Sequence, residues 1–189
     1  MKLLKEKILS EGRVDREDIL KVDSFLNHQI DVALLDEIGK EFAGRYQSAG
    51  ITKILTIEAS GIAIACFAGI HLHVPVIFAK KTDSKNLDDN TYETQVYSYT
   101  KDRYYRVRVS KRYLQPSDKV LIIDDFLANG KAVFGLKEII EQAHAELVGV
   151  GIAIEKGFQQ GGQLLREQGI RVDSLAILKS ISPEGIVFE

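Results

Sequence analysis

The run Val120-Leu121-Ile122-Ile123-Asp124-Asp125-Phe126-Leu127-Ala128-Asn129-Gly130-Lys131-Ala132 constrains this chain more than any other stretch. Its four consecutive apolar residues read as a parallel strand buried on both faces. Two carboxylates, Asp124 and Asp125, end that strand. A short loop with Gly130 follows, and a helical pattern over 132–143 then places Val133, Leu136, Ile139 and Ile140 on one face. Open α/β sheets bind ligands at the carboxyl ends of their strands. Acids, glycine and helix arrive here in the order such a site needs.

Each part has a chemical use. A loop running into a helix N-terminus presents free N–H groups, and a phosphate fits against them. Gly130 lets that backbone approach the anion with no Cβ in between. Asp124 and Asp125 can accept hydrogen bonds from sugar hydroxyls or hold a hydrated magnesium ion. A phosphate at the loop and a diol at the acids describe a ribose 5-phosphate. The plainer alternative is a buried strand whose terminal acids cap the next turn.

Helix and strand alternate around this run. The pattern predicts a helix over 3–10, stopped at Gly12, and a second helix capped by Asp31. The stripe of that second helix is Leu34, Leu35, Ile38, Phe42 and Tyr46. Strands are expected over 53–58, 76–79, 148–155 and 172–178, and helices over 62–72 and 163–168. The alternation implies an α/β fold, a central mostly parallel sheet flanked by helices. A length of 189 residues without linker or repeat predicts one domain, 1–189.

Bulk composition excludes several classes. Hydrophobic residues make up 45% of the chain, enough for a substantial core. A net charge of −2 gives no global field for nucleic acid, so no such partner is expected. No apolar run is long enough to span a bilayer, and Met1 to Lys7 lacks the apolar core of a signal peptide. The lone Cys66 excludes a disulfide framework and is expected as a small core residue, which suits the cytoplasm. His28, His71, His73 and His144 form no metal-ligand pattern, so no dedicated protein metal site is expected.

A second helix N-terminus follows the turn Glu58-Ala59-Ser60-Gly61, where another anion fits. Read alone, the turn is equally a plain strand-to-helix connection. The region 81–111 is the least regular. It opens after Lys80-Lys81, passes a polar stretch over 82–90 and turns β-like, with six of the seven tyrosines between Tyr92 and Tyr113. Tyr105, Val107 and Val109 alternate with Tyr104, Arg106 and Arg108, which reads as a half-buried antiparallel strand with a basic outer face. Such a hairpin can close over a reaction and exclude water, or simply be a charged sheet edge.

The run 120–132 resembles the signature of the type I phosphoribosyltransferases, which bind 5-phosphoribosyl 1-diphosphate. That signature is four hydrophobic residues, two acids, two hydrophobic residues and a small-residue phosphate loop. The common loop ends in Thr-Gly-Gly-Thr. Asn129, Gly130, Lys131 and Ala132 stand there in this chain, so backbone N–H groups and the Asn129 amide must do more. Leu20-Lys21-Val22-Asp23-Ser24-Phe25-Leu26-Asn27-His28-Gln29-Ile30-Asp31 and Ile154-Glu155-Lys156-Gly157-Phe158-Gln159 narrow the resemblance. With them, nearly the whole chain is similar to the bacterial xanthine phosphoribosyltransferases.

The resemblance implies a type I phosphoribosyltransferase fold with a β-hairpin lid and a small hood, built from residues 1–30 and the C-terminal segment. It implies transfer of a 5-phosphoribosyl group from 5-phosphoribosyl 1-diphosphate to N9 of xanthine in purine salvage. Xanthosine 5′-monophosphate and diphosphate would result. It gives the 5-phosphate to Ala128, Asn129, Gly130, Lys131 and Ala132. The diphosphate, with its magnesium, falls to Glu58, Ala59, Ser60, Gly61, Lys80 and Lys81. Asp124 and Asp125 become the catalytic pair, and Leu20, Asn27 and Lys156 the purine contacts. The family glutamine of the phosphate loop is Lys131 here. In the family the loop matching Glu58 to Gly61 often contains a non-proline cis peptide, and the lysine pair is sometimes donated by a partner subunit, so a homodimer is implied.

Side-chain chemistry agrees with a 6-oxopurine. Lysine only donates, so Lys156 suits a C6 carbonyl and repels the amino group of adenine. Asn27 both donates and accepts, which matches an imide edge. Without the resemblance, Lys156 reads as a surface lysine closing a strand. Two other functions stay open at this level. One is transfer to hypoxanthine or guanine. The other is a non-catalytic, RNA-binding sensor of 5-phosphoribosyl 1-diphosphate, which the basic strip Arg103, Arg106, Arg108, Lys111 and Arg112 would serve.

Overall fold

Helices cover both faces of a central sheet in the computed structural model, which describes residues 1–16, 19–81, 90–98, 103–182 and 185–189. The chain begins with α1 (Lys2–Glu11), the short strands β1 (Arg13–Arg16) and β2 (Ile19–Lys21), and a π-helical turn over Asp23–Asn27. It continues through α2 (Val32–Tyr46), β3 (Lys53–Ile57), α3 (Ser60–Leu72) and β4 (Val76–Ala79). The hairpin β5 (Thr91–Ser98) and β6 (Arg103–Ser110) leads into β7 (Lys119–Leu127) and α4 (Lys131–Gln142). The last elements are β8 (Glu146–Lys156), α5 (Gly161–Glu167), β9 (Val172–Ser182) and β10 (Gly185–Phe188).

The six-stranded sheet has the order β10-β9-β8-β7-β3-β4. Every pairing from β4 to β9 is parallel, and β10 closes one edge antiparallel to β9. From β3 the chain moves outward to β4. It then returns to the other side of β3 and moves outward again through β7, β8 and β9. The direction reverses between β3 and β7, where open α/β sheets leave a crevice for ligands.

Burial on both faces explains the unbroken apolar run of β7. Leu121 and Ile123 join the core under α1, α2 and α3, while Val120 and Ile122 join the core under α4 and the hairpin. Asp31 caps α2 as its position predicts, with its carboxylate accepting from the Leu34 N–H at 3.1 Å. The predicted stripe Leu34, Leu35, Ile38, Phe42 and Tyr46 is buried. Two glycines of β8 let that stripe lie close to the sheet. A Cβ at Gly149 would stand 2.8 Å from the Tyr46 hydroxyl, and one at Gly151 would stand 2.8 Å from Cε1 of Phe42. The Tyr46 hydroxyl donates to the Val150 carbonyl at 3.3 Å.

Some expectations need correction. The strand read over 120–123 runs on to Leu127, because β7 stays paired with β8 as far as Leu127 opposite Glu155. The acids therefore do not end the strand, which continues through Phe126 and Leu127. Helix α3 starts at Ser60, so Ser60 and Gly61 form its first turn. Cys66 is exposed, not in the core. Helix α3 is apolar around its whole circumference, so its sequence does not reveal its outer side, where Ile70 is also exposed. The strands β1, β2 and β10 are too short to leave a readable period. Residues 82–89 and 99–102 of the expected lid region lie outside the described residues.

The two ends of the chain meet. The Met1 ammonium donates to the Leu175 carbonyl, and Lys5 Nζ donates to the Glu189 carbonyl at 2.6 Å. Among the described residues no helix is long and apolar enough to cross a membrane.

Glycine at position 151 is a packing requirement here. Gly151→Val should destabilise the protein by about 1–3 kcal/mol through overpacking against Phe42. Phe42→Leu in the same chain should recover part of that loss. Urea unfolding of both variants measures it, and an unchanged midpoint for Gly151→Val would contradict the packing.

Candidate active site

The segments singled out by sequence occupy the carboxyl ends of neighbouring parallel strands. Lys80 and Lys81 follow β4, and Glu58 to Gly61 follow β3. Asp124 and Asp125 are in the last residues of β7, with 128–132 just beyond, and Lys156 ends β8. Because the strand order is β4-β3-β7-β8, these groups form a row with the acids at its centre.

Asp124 is 4% exposed, and its Oδ1 accepts from the Asp125 N–H at 3.0 Å. Burial first, and then the neighbouring Asp125 charge, push the Asp124 carboxyl well above the usual carboxylate range. The positive charge of Lys81 works against that shift. Tyr105 of β6 reaches the same region, and burial followed by the Asp124 charge raises its hydroxyl. Lys81 Nζ lies 5.3 Å from the centre of the Tyr105 ring, and the Lys81 N–H donates to the Glu58 carboxylate. From the other side the Asn27 amide donates to Asp125 Oδ2 at 2.9 Å.

Close approach explains the glycines. A Cβ at Gly61 would stand 2.2 Å from Thr56 Oγ1 and 2.8 Å from Asp124 Oδ1, so only glycine lets this loop sit against the acid. The Glu58–Ala59 peptide preceding it is cis. Gly130 adopts a left-handed φ of 77° at the start of α4, a conformation glycine takes without strain. Gly161 then seats α5 on the same loop, with its N–H donating to the Ala128 carbonyl at 3.0 Å. Under Lys156, the Arg166 guanidinium grips both oxygens of the buried Glu155 at 2.7 Å each, and the Ser174 hydroxyl also donates to Glu155. Burial alone would raise Glu155, but Arg166 and Ser174 outweigh it and hold the carboxyl below its usual range.

A cavity of about 580 Å³ opens at this end of the sheet. Ala128, Asn129, Gly130, Lys131 and Ala132 line it together with Lys156, and Tyr97 and Tyr105 of the hairpin form another wall. The 128–132 loop and Lys156 thus share one space. Leu20 is not on that wall. Its side chain is 7% exposed within the core, and its neighbour Ile19 faces the cavity. The two lysines also part company. Lys81 stays beside Glu58, whereas Lys80 is bridged by backbone to Arg108 and lines a different cavity of about 590 Å³ with Lys53, Phe78 and Tyr113.

Sequence reasoning missed Ile19, Thr56, Gln159 and the Glu155–Arg166 pair. The one usable signal was Gly161-Gly162, two glycines just ahead of a helical pattern. The basic strip of the hairpin partly answers its own acid, since Arg108 lies 3.1 Å and Arg106 3.9 Å from Glu93. Among the described residues no three His, Cys, Asp or Glu side chains converge as a metal cage.

No protein-family profile matches the chain. It is 58% identical to the xanthine phosphoribosyltransferase of Clostridium novyi (strain NT), with all of both chains covered. It is 62% identical to that of Ruminiclostridium cellulolyticum, covering 96% of this chain and 95% of the relative. The Clostridioides difficile (strain 630) protein of the same name is 59% identical over the full length of both. Among solved structures, adenine phosphoribosyltransferase from Trypanosoma brucei, in complex with AMP, pyrophosphate and ribose-5-phosphate, superposes with a TM-score of 0.79. It is 17% identical and covers 96% of this chain and 82% of its own. The Rhodothermus marinus enzyme of that name superposes with a TM-score of 0.76 at 21% identity, covering 94% and 100%. At such identities these structures speak to the fold.

The raised Asp124 carboxyl gives a signed prediction. In the folded chain it holds its proton to higher pH than in the unfolded chain, so its contribution to stability falls as pH rises above the ordinary carboxylate range. Asp124→Asn should therefore raise the Tm of the ligand-free protein at neutral pH, and the gain should shrink as pH falls to about 4. Melting curves at both pH values decide this. An equal or lower Tm at neutral pH would contradict the burial argument.

Proposed function

The chain belongs to the xanthine phosphoribosyltransferases, with the type I phosphoribosyltransferase fold, and we propose that it works through the cavity between β7, β8 and the hairpin. The reaction transfers the 5-phosphoribosyl group from 5-phosphoribosyl 1-diphosphate to N9 of xanthine. The products are xanthosine 5′-monophosphate and diphosphate, a purine-salvage step. One observation carries the site assignment: the diphosphate loop, the acids, the phosphate loop and Lys156 lie in sequence along adjacent strand ends.

In this reading the 5-phosphate rests on the N–H groups of 128–132 at the start of α4, with Lys131 adding a cation. The ribose diol faces Asp124 and Asp125. The diphosphate lies against Glu58 to Gly61 and Lys81. The N9 lone pair forms the new bond to C1 while the bond from C1 to the diphosphate oxygen breaks. Positive charge develops on the sugar ring, and the two carboxylates oppose it. The remainder is positioning, because the strand ends hold both substrates at fixed separation. The hairpin, with Tyr97 and Tyr105 on the cavity wall, acts as its lid.

Magnesium fits this site as an ion brought in with the diphosphate. Asp124 and Asp125 offer the hard oxygens it prefers, and diphosphate oxygens and water would complete its shell. The charge it would supply there is a counter-charge for the diphosphate.

We also infer a homodimer in the cytoplasm. The exposed Ile70 and Cys66 of the apolar helix α3, and the exposed Phe78 on edge strand β4, support a second copy covering this side. Lys80 lies on the same side as Phe78. The single unpaired cysteine suits a reducing compartment.

Steady-state rates with xanthine, hypoxanthine, guanine and adenine test the substrate. Xanthine should give the highest kcat/KM. Lys156→Ala loses a charged hydrogen bond to the purine of about 1.5–3 kcal/mol, so kcat/KM for xanthine should fall about ten- to a hundredfold. KM for 5-phosphoribosyl 1-diphosphate should hardly move. Equal losses for both substrates would show that Lys156 supports the fold or the diphosphate instead.

A further inference from the structure

Thr56 of β3 is fully buried, and its hydroxyl has no hydrogen-bond partner among the described residues. Burying a hydroxyl without a partner is unfavourable, and folded proteins rarely keep one without a use. Valine has nearly the same shape, suits a strand as well and carries no polar group, so packing alone would favour it here. The surroundings of the hydroxyl show what it can serve.

Pairing between β3 and β7 runs from Lys53 opposite Val120 to Leu55 opposite Ile122. Thr56 is the first residue of β3 beyond that ladder, at the crevice where the strand order reverses. Its hydroxyl is one of three oxygens gathered around Gly61. A Cβ at Gly61 would stand 2.2 Å from Thr56 Oγ1, 2.8 Å from Asp124 Oδ1 and 3.4 Å from the Ile123 carbonyl oxygen. A carbonyl and a carboxylate accept, and the Thr56 hydroxyl is the one of the three that can donate to either. Asp124 Oδ1 accepts from the Asp125 N–H at 3.0 Å and has a second lone pair to offer.

We propose that Thr56 is a positioning residue for the reaction: its hydroxyl donates to Asp124 Oδ1 once the carboxylate takes hold of the ribose, and keeps that group turned toward the sugar. Thr56 is sealed from solvent, so it acts through Asp124 and touches no substrate. Hydrogen bonds to a carboxylate are roughly twice as strong as those between neutral groups. This one is worth most while Asp124 opposes the positive charge that develops on the sugar. In the ligand-free chain the unpaired hydroxyl costs stability, and the bond formed during turnover offsets that cost. The inference rests on the assignment of Asp124 to the ribose.

Kinetics and melting curves of a small set of variants test it. Thr56→Val keeps the shape and removes the hydroxyl. Its kcat/KM for 5-phosphoribosyl 1-diphosphate should fall about tenfold, with KM for xanthine unchanged and the Tm of the ligand-free protein no lower. Thr56→Ser gives up a methyl group and keeps the hydroxyl, so it should retain most of the activity. In the Asp124→Ala background, where no carboxylate remains, Thr56→Val should cost nothing further. Full activity or a lower Tm in Thr56→Val, equal losses in the valine and serine variants, or an added loss in the Asp124→Ala background would overturn the role of Thr56. If Asp124→Ala lost turnover while Thr56→Val kept it, the role of Thr56 alone would fall. If Asp124→Ala by itself kept normal turnover, the assignment of Asp124 would fall, and the inference with it.

Discussion

A carboxylate held out of water at the end of a strand that is covered on both faces organises this molecule. Asp124 keeps its place because Asp125 donates a backbone N–H to it, and because Gly61 lets the neighbouring loop close over it without a Cβ. Lys81 and Tyr105 then complete its surroundings from β4 and β6. With β7 fixed by its two cores, everything next to it in strand order is fixed too. The 58–61 loop after β3 stands on one side and the Lys156 end of β8 on the other.

Two buried carboxylates on adjacent strands show opposite electrostatics. On β8, Glu155 stands three residues beyond Ile152, the register partner of Asp124. Glu155 is answered inside the protein by Arg166 and Ser174 and titrates low. Asp124 is left with little beyond a backbone N–H and a distant lysine, and it titrates high. The first arrangement is structural, since it clamps α5 and the turn of Lys156 and Gln159 to the sheet. The second is suited to a ligand that brings its own positive charge, because an incompletely answered carboxylate gains from such a partner.

Much of this was legible before the fold was known. An apolar run without alternation means a strand covered on both sides, and Val120 to Ile123 meet that description. The Asp31 cap and the stripe of α2 follow from local spacing alone. What stayed hidden depends on pairing and on facing. The extension of β7 needs β8 beside it. The exposure of Cys66 could not be read from a helix that is apolar all round. The register of the short β1–β2 hairpin turns Leu20 inward and Ile19 toward the cavity, and three residues are too few to show that alternation. Lys80 and Lys81 are adjacent in sequence, yet Lys80 lines the cavity with Phe78 and Tyr113 while Lys81 lies beside Glu58 and Tyr105, because an extended chain sends successive side chains to opposite sides.

The alignment of groups along the strand ends is most directly tested by a crystal structure of the protein with xanthosine 5′-monophosphate and diphosphate. The account predicts the 5′-phosphate on the N–H groups of 128–132, the ribose hydroxyls on Asp124 and Asp125, and the diphosphate at Glu58 to Gly61. The base should lie against Lys156. A nucleotide bound with its base at the 58–61 loop, or in the cavity beside Lys80 and Phe78, would contradict it.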